Sequence, residues 1–362
     1  MLFVNGRQHG AAVNIDAPRM GCLDAEQLAH GRLLGKRVER QWRARITHFQ
    51  PAMLARLLRA IYLFQLICGA LLGSTLAVRL TENGAGSAAL LLVPLCSLGL
   101  PVLLQFLTIV TLMLRSRSGN AGALWWRALW GEFKAALLIF MLRQPWPHRQ
   151  RGVQLPSAPS QRQLGQNALP VLLVHGYICN HRVWDDMALA LRHAGHPVLR
   201  VDLEPLFTSI DNYTATLERS VTTLLDQTKS RQVVLVGHSM GGLAIRAWLR
   251  AHGPARVARI LTLGTPHQGT RIAKASMTPN GAQMVWQSNW LQALADSEDP
   301  AKRALMHIAI TAQDNVVYPQ AEQVLPGAQV KHFQGIGHLQ MCLDRAVIDW
   351  VCQQAATLNT PS

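Results

Sequence analysis

The chain has 362 residues, a formal net charge of +15 at pH 7 and a hydrophobic content of 49%, and this length allows about two domains of ordinary size. The basic balance suggests nucleic acid, but there is no zinc-finger spacing and no basic run interleaved with aromatic residues, so no nucleic-acid partner is expected. The six cysteines form no C-x-x-C pair, which argues against a cysteine metal site and a disulfide framework.

Residues 1–58 form a polar and basic N-terminal region without a strong hydrophobic period. Two uncharged apolar runs follow, and each has about the roughly 20 residues that a helix needs to cross a bilayer. We predict transmembrane helices at about 60–79 and 88–114. A buried core helix is the alternative for either run. A cleaved signal peptide fits less well, because the first run begins near residue 60.

A third apolar segment, at about 123–142, has a different composition. It carries three tryptophans in its first half and the charged residues Arg127, Glu132 and Lys134. This composition suits a helix that lies in the membrane interface, and a third crossing is the alternative. Residues 59–143 are therefore predicted to form a membrane region.

The distribution of basic residues predicts the orientation of this region. They are concentrated before the first span and after the second, and none lies in the turn at 81–87. The positive-inside rule then predicts a hairpin with both ends cytoplasmic, in a multi-pass protein of the cytoplasmic membrane. The basic residues also predict contact with an anionic lipid surface. If 123–142 crosses as well, the remaining domain lies on the opposite side.

The texture changes again after residue 143. Residues 144–168, rich in Gln, Pro, Ser and Arg, are predicted to be a linker. From 169 to 356, short β-branched or leucine-rich runs alternate with amphipathic stretches. Near-continuous hydrophobic strands separated by helices indicate a parallel sheet covered on both faces. The predicted fold class is α/β.

One of these runs, 233–236, ends at Gly237-His-Ser-Met-Gly241, and a helix-like stretch follows. A strand, a sharp turn with glycines around a serine, and a helix are the parts of a nucleophile elbow. A serine hydroxyl needs a base, the base needs an orienting carboxylate, and in this arrangement the chain order is serine, acid, histidine. We predict Ser239 as nucleophile, Asp314 as orienting acid, and His338 as general base and then acid.

Other residues remain open as members of this triad. Asp296, Asp299 and Asp344 are alternative acids, although none of them follows so clear a strand. His267 precedes the acid and so breaks the expected order. His332 lies in the middle of a predicted strand, where a packed or surface histidine is more common.

The tetrahedral intermediate of such a reaction needs hydrogen-bond donors for its oxygen. The backbone N–H of Met240, directly after the serine, is one predicted donor. The N–H of Tyr177, in the loop after the first strand of the α/β region, is the other. These two groups are the predicted oxyanion hole.

Three motifs together resemble the bacterial lipase and esterase branch of the α/β-hydrolases: Val174-His-Gly-Tyr177 followed by Trp184, Gly237-His-Ser-Met-Gly-Gly242, and Gly264-Thr-Pro-His-Gln-Gly-Thr270. The resemblance covers about residues 169–356. It implies an α/β-hydrolase fold with a cap after the sixth-strand region, preceded in this chain by the helical membrane region. It also implies hydrolysis of carboxylic esters through an acyl-enzyme. Some secreted relatives hold a structural calcium, but the chain has no convincing pair of spare carboxylates, so neither metal nor cofactor is predicted.

The cap would lie at about 270–303. Its apolar side chains Met277, Met284, Trp286 and Trp290 are candidates for binding an acyl chain, although Met and Trp at helical spacing also occur in plain cores. We predict a membrane-anchored serine hydrolase that cleaves carboxylic esters of lipids or other hydrophobic acyl substrates. A thioesterase, an acyltransferase or an amidase would use the same triad, and a catalytically idle membrane scaffold is the alternative from another class.

Overall fold

The computed structural model describes residues 53–117, 119, 122–148, 152–156 and 168–356. Residues 1–52 of the predicted basic region, and 149–151 and 157–167 of the predicted linker, lie outside the described residues.

Two long helices come first. They are α1, Met53–Glu82, and α2, Leu92–Arg115, and a short 3₁₀ segment at Ser87–Leu91 precedes α2. These helices contain the two predicted spans. Both are long and apolar enough to cross a membrane, judged by length and composition.

Small residues let α1 and α2 pack closely against each other. A Cβ on Gly69 would lie 2.7 Å from the Cα of Ser97, and a Cβ on Gly73 would lie 2.7 Å from the Cα of Val93. Small residues four positions apart are typical of close helix pairs in membranes. The Ser97 hydroxyl also donates to the Leu66 carbonyl at 2.9 Å. Since partner numbers on α2 fall as those on α1 rise, the two helices are antiparallel.

The next helix, α3, spans Ala123–Ala136 and continues as a π-helical segment, Leu137–Arg143. One of its faces is buried. The buried side chains recur at helical spacing, and the apolar ones among them share a core cluster with residues of the sheet: Trp125, Ala128, Leu129, Glu132, Ala135 and Ala136. The segment is therefore docked on the α/β domain, an association that its composition does not predict.

The opposite face of α3 remains apolar and exposed. Trp126 and Trp130 are each about half exposed, and Trp130 stacks on Phe106 of α2 with ring centroids 5.6 Å apart. An interfacial position thus stays a prediction for this face alone. Among the described residues, α3 is not one of the helices long and apolar enough to span a membrane.

Six strands form one parallel sheet, as the alternating pattern predicts. They are β1, Val171–Val174; β2, Val198–Val201; β3, Val233–His238; β4, Val257–Leu263; β5, Met306–Thr311; and β6, Gln329–Phe333, in the order β2-β1-β3-β4-β5-β6. Every residue of β1, β2, β3 and β5 is buried, because parallel strands are covered on both faces. The α/β fold class is confirmed.

Helices cover both faces of this sheet. After α3 they are α4, Asp185–His193; α5, Thr214–Thr228; α6, Met240–His252; α7, Pro279–Gln283; α8, Asn289–Asp296; α9, Pro300–Ala304; and α10, Arg345–Ala356. Alternate residues of β1 enter different cores. Val171 and Leu173 pack with side chains of α3, α4 and α10, whereas Leu172 and Val174 pack with side chains of α5, α6 and α8.

The described parts of the predicted linker are also docked on this domain. Gln144 is fully buried, and its Oε1 accepts from the backbone N–H of Asn180 at 2.7 Å. Gln154 pairs with Val198 in an isolated antiparallel bridge. Polar composition suggested a free connection here, but backbone and amide hydrogen bonds hold these segments in place.

Candidate active site

The turn after β3 holds Ser239 in a strained conformation. Its φ is 55° and its ψ is −129°, values that non-glycine residues rarely adopt and that are found at functional turns. A Cβ on Gly176, in the loop after β1, would lie 2.7 Å from the Ser239 Cβ. Glycine at 176 therefore lets this loop reach the serine, as a strand-turn-helix elbow requires.

Asp314 and His338 meet at the same edge of the sheet, after β5 and β6. The Asp314 Oδ2 lies 2.8 Å from the His338 Nδ1. The other carboxylate oxygen, Oδ1, accepts from the backbone N–H groups of Val316 at 2.9 Å and Val317 at 2.7 Å. The backbone N–H of His338 donates to the Asn315 side-chain oxygen at 3.0 Å. Both side chains are thus fixed by the loop after β5, and both are buried.

The alternative acids have other contacts. Asp299 accepts from the backbone N–H of Lys302 and begins α9. Asp344 accepts from the backbone N–H of Ala346 near the start of α10, and Asp296 ends α8. The geometry brings Asp314 to the histidine, and the helix-capping contacts account for Asp299 and Asp344.

The other histidines also have separate places. The Nε2 of His267 lies 3.0 Å from the Thr262 hydroxyl, and its ring is buried. His332 is exposed on β6. His238 is buried beside the serine, and its Nε2–H donates to the His338 carbonyl at 3.0 Å. Burial, with His338 nearby, holds the pKa of His238 well below its usual value, so this ring is neutral and links the two loops.

Sequence reasoning missed one carboxylate of this site, Glu132 on α3. Its side chain is buried and accepts from the backbone N–H groups of Leu339 at 3.0 Å and Gln340 at 2.9 Å. A Cβ on Gly337 would lie 2.5 Å from the Glu132 Oε2. The carboxylate therefore clasps the loop that carries His338. Its place on the apolar stripe of α3, seven residues after Trp125, was the available signal.

The charges around His338 favour its protonated form. Burial by itself lowers the pKa of the imidazole, but the charge and hydrogen bond of Asp314, with a smaller contribution from Glu132, raise it above its ordinary value. Burial raises the pKa of Glu132, against the opposing effects of His338 and the two backbone N–H donors. An imidazole held in this way can take and return a proton near neutral pH.

The residues of the predicted oxyanion hole are Met240, which directly follows the serine, and Tyr177, which lines the same cavity as Ser239. Met240 is the first residue of α6, where backbone N–H groups have no partner within the helix. Tyr177 lies in the loop after β1, which His175 fixes from within. The Nδ1–H of His175 donates to the Gly176 carbonyl at 2.9 Å, and its Nε2 accepts from the Leu203 N–H at 3.0 Å.

Ser239 and His338 line one cavity, with a volume of about 620 Å³, a size typical of sites for small molecules, which are roughly 300–1,000 Å³. Tyr177 and Met284 also line it. Loops of the α/β domain and the cap form much of its wall, and two further parts of the wall were not expected from the sequence: the domain-side ends of α1 and α2, and Glu132 and Phe140 of the α3 segment.

The four cap candidates are not brought together. Met284 lines the cavity, but Met277, Trp286 and Trp290 do not. The side chain of Met277 is fully exposed. The indole N–H of Trp290 donates to Asp211 at 2.8 Å. The structure thus places these three side chains outside the lining of the Ser239 cavity, and a role for them in binding an acyl chain stays a prediction.

No three His, Cys, Asp or Glu side chains lie together as a metal site would need, within the part of the chain that the structure describes. The absence of a metal and a cofactor stays a prediction.

Comparison with known proteins gives a consistent assignment. Residues 170–296 match the family model of the α/β-hydrolase fold. A triacylglycerol lipase of Burkholderia plantarii is 32% identical over 127 residues, which is 33% of this chain and 35% of the lipase. A triacylglycerol lipase of Pseudarthrobacter phenanthrenivorans is 34% identical over 113 residues, which is 29% of this chain and 35% of that protein. The chain thus spans about a third of the length of the curated relatives it matches.

Solved structures are similar at lower identity. The mature form of the Bacillus licheniformis lipase BlEst2 has 18% identity and a TM-score of 0.46, over 52% of this chain and 92% of that one. The Rhodococcus esterase RhEst1 has 18% identity and a TM-score of 0.39, over 57% and 94%. The family match and the parallel sheet together lead to one conclusion: the chain carries the α/β-hydrolase fold, and triacylglycerol lipases are among its relatives.

Proposed function

We propose that the protein is a membrane-anchored serine hydrolase that cleaves carboxylic esters of lipids or other hydrophobic acyl compounds. The observation that carries this proposal is the 2.8 Å contact between Asp314 and His338 at the cavity that Ser239 also lines. The similarity to triacylglycerol lipases supports this proposal only for the part of the chain that those lipases match.

The chemistry follows from these positions. His338 Nε2 takes the proton of the Ser239 hydroxyl as its Oγ attacks the ester carbonyl, and Asp314 stabilises the imidazolium that forms. The N–H groups of Met240 and Tyr177 donate to the oxygen that becomes negative. His338 then protonates the leaving alcohol. Water, activated by the same imidazole, releases the acid from the acyl-serine.

Membrane anchoring through α1 and α2 is supported by their surfaces. Only 17% of the most apolar 18-residue stretch of α1, and 6% of that of the Ser87–Arg115 segment, is buried. A core helix of a soluble domain would be mostly buried, so an apolar surface of this size needs another cover. Basic residues flank the hairpin on the domain side, with Arg56 and Arg59 before it and Arg115 and Arg117 after it. This distribution supports a cytoplasmic catalytic domain.

The test is ester hydrolysis by the full-length protein in detergent, measured with p-nitrophenyl butyrate and p-nitrophenyl palmitate. We expect Ser239→Ala to abolish hydrolysis of both esters. Ser220→Ala is the matched control, because the Ser220 hydroxyl donates within α5 to the Thr216 carbonyl at 2.8 Å. No hydrolysis by the unaltered protein would favour the idle scaffold, and equal hydrolysis by Ser239→Ala would refute the assigned nucleophile.

Sidedness needs a separate experiment. Reporter fusions after Ser362 should give a fluorescent cytoplasmic reporter and an inactive alkaline phosphatase. The opposite pair of results would move the catalytic domain to the other face of the membrane.

A further inference from the structure

The cavity wall on α1 is a single helical stripe. It consists of Leu58, Ile61, Tyr62 and Gln65, whose spacing of three and four residues places them on one face of the helix. We call these residues the α1 stripe. Leu58 is buried and Ile61 is 41% exposed, so the stripe is packed at Leu58 and open one turn farther along the helix.

The wall on α2 repeats the same spacing. It consists of Gln105, Thr108, Ile109 and Leu112, which we call the α2 stripe. Because α1 and α2 are antiparallel and touch closely at Gly69 and Gly73, farther from the domain, both stripes lie on the domain side of that contact. The two stripes therefore face the cavity from the same end of the hairpin.

The stripes extend to membrane depth. Gln65 lies five residues beyond Ala60, where the uncharged run of α1 begins, or about 8 Å along the helix. Gln105 lies ten residues before Arg115, or about 15 Å along α2. One leaflet contributes about 15 Å of hydrocarbon. With α1 and α2 spanning a membrane as proposed, the cavity of Ser239 continues into the leaflet next to the domain.

Polar groups at this depth are a second sign of a binding function. Tyr62, Gln65, Gln105 and Thr108 all line the cavity, and the Gln65 Oε1 is buried without a hydrogen-bond partner. Polar side chains inside a membrane are costly and are retained mainly where they face a cavity or a pathway.

We infer that the acyl chain of a membrane-resident lipid ester binds between the α1 and α2 stripes, entering sideways from the leaflet while its carbonyl lies at Ser239. This inference rests on the proposed ester hydrolysis and names its substrate class. The hairpin is then part of the binding site as well as an anchor. The acyl chain would lie against α1 and α2, while the cap also contributes apolar side chains to the cavity, among them Ile272, Ala273 and Met284.

The first test uses tryptophan substitutions to narrow the space between the two stripes. It measures kcat/KM for p-nitrophenyl palmitate relative to p-nitrophenyl butyrate. Ile61→Trp and Thr108→Trp should each lower this ratio by about tenfold or more, since each methylene excluded from an apolar site weakens binding by about fourfold. The matched controls are Leu63→Trp and Leu107→Trp, whose side chains are 59% and 49% exposed and do not line the cavity. The controls should keep the native ratio.

The second test needs no substitution and reports position directly. A fluorophosphonate carrying a sixteen-carbon chain with a terminal diazirine is attached to the full-length protein in anionic phospholipid vesicles and then irradiated. Crosslinks within 58–65 or 105–112 support the inference. Crosslinks confined to 270–303, or native ratios in both stripe variants, overturn it. If no fluorophosphonate attaches at all, the proposed hydrolase function fails, which is a distinct result.

Discussion

Replacing Glu132 by glutamine would test whether this buried carboxylate positions His338. The substitution keeps the size and shape of the side chain but removes its charge. It also removes one of two acceptors, because the carboxylate now receives the N–H groups of Leu339 at 3.0 Å and Gln340 at 2.9 Å. One buried N–H would then face the amide NH₂ group, without a partner.

The structure allows the magnitude to be worked out. A buried donor without a partner costs about 1–3 kcal/mol, and a shift of the imidazole by about 1 Å can cost roughly 10²-fold in rate. We therefore expect kcat/KM to fall by about 10- to 100-fold at its optimum. The charge of Glu132 helps to raise the pKa of His338, but less than Asp314 does. Its loss should move the acidic limb of the pH profile to lower pH, because the imidazole then loses a charge that favours its protonated form.

The assay is kcat/KM for p-nitrophenyl butyrate as a function of pH. Asp349→Asn is the control, because it removes the same charge from an exposed position on α10 where Asp349 pairs with Arg345. A Glu132→Gln enzyme with an unmoved acidic limb and kcat/KM within about twofold of native would refute the positioning role. A limb that moves to higher pH would refute the assigned electrostatics.

Three further substitutions test other parts of the account. Asp314→Asn should lower kcat/KM by roughly 10³- to 10⁴-fold, because the histidine loses its orienting carboxylate. The melting temperature should change little, because the amide oxygen can still accept from the backbone N–H groups of Val316 and Val317. Gly73→Leu should destabilise the helix hairpin by about 1–3 kcal/mol, seen as a lower melting temperature in detergent, because a Cβ there would lie 2.7 Å from the Val93 Cα. Arg246→Ala should lower the free energy of unfolding in urea by about 3 kcal/mol, because it removes the guanidinium 2.6 Å from the buried Glu298 and leaves that carboxylate with the more distant Arg303, at 3.5 Å. An unchanged urea midpoint would contradict this last expectation.

The sequence was sufficient where a function depends on a local pattern. The parallel strands appear as short apolar runs, and the elbow at Ser239 needs only a strand, a tight turn and a helix in succession. Asp314 and His338 could be chosen because each follows a strand, and the carboxyl ends of parallel strands meet at one edge of a sheet.

The remaining features depend on contacts between distant parts of the chain. Glu132 reaches backbone groups 207 and 208 residues away, and no local pattern records such a pairing. Two of the four α1 stripe residues, Leu58 and Ile61, are as apolar as the rest of the helix. Composition alone therefore does not separate the stripe from the lipid-facing side of α1. The sequence placed Trp290 among the candidates for binding an acyl chain, but in the structure its indole N–H donates to the Asp211 carboxylate.

Ser239 is proposed to be made reactive by His338, and covalent labelling of the serine hydroxyl measures this reactivity. The full-length protein is treated with a fluorophosphonate, digested, and analysed by mass spectrometry. We expect one modified peptide, with the phosphonate on Ser239, and a strong loss of labelling in His338→Ala. A phosphonate on another serine, or undiminished labelling of Ser239 in His338→Ala, would contradict the activation of Ser239 by His338.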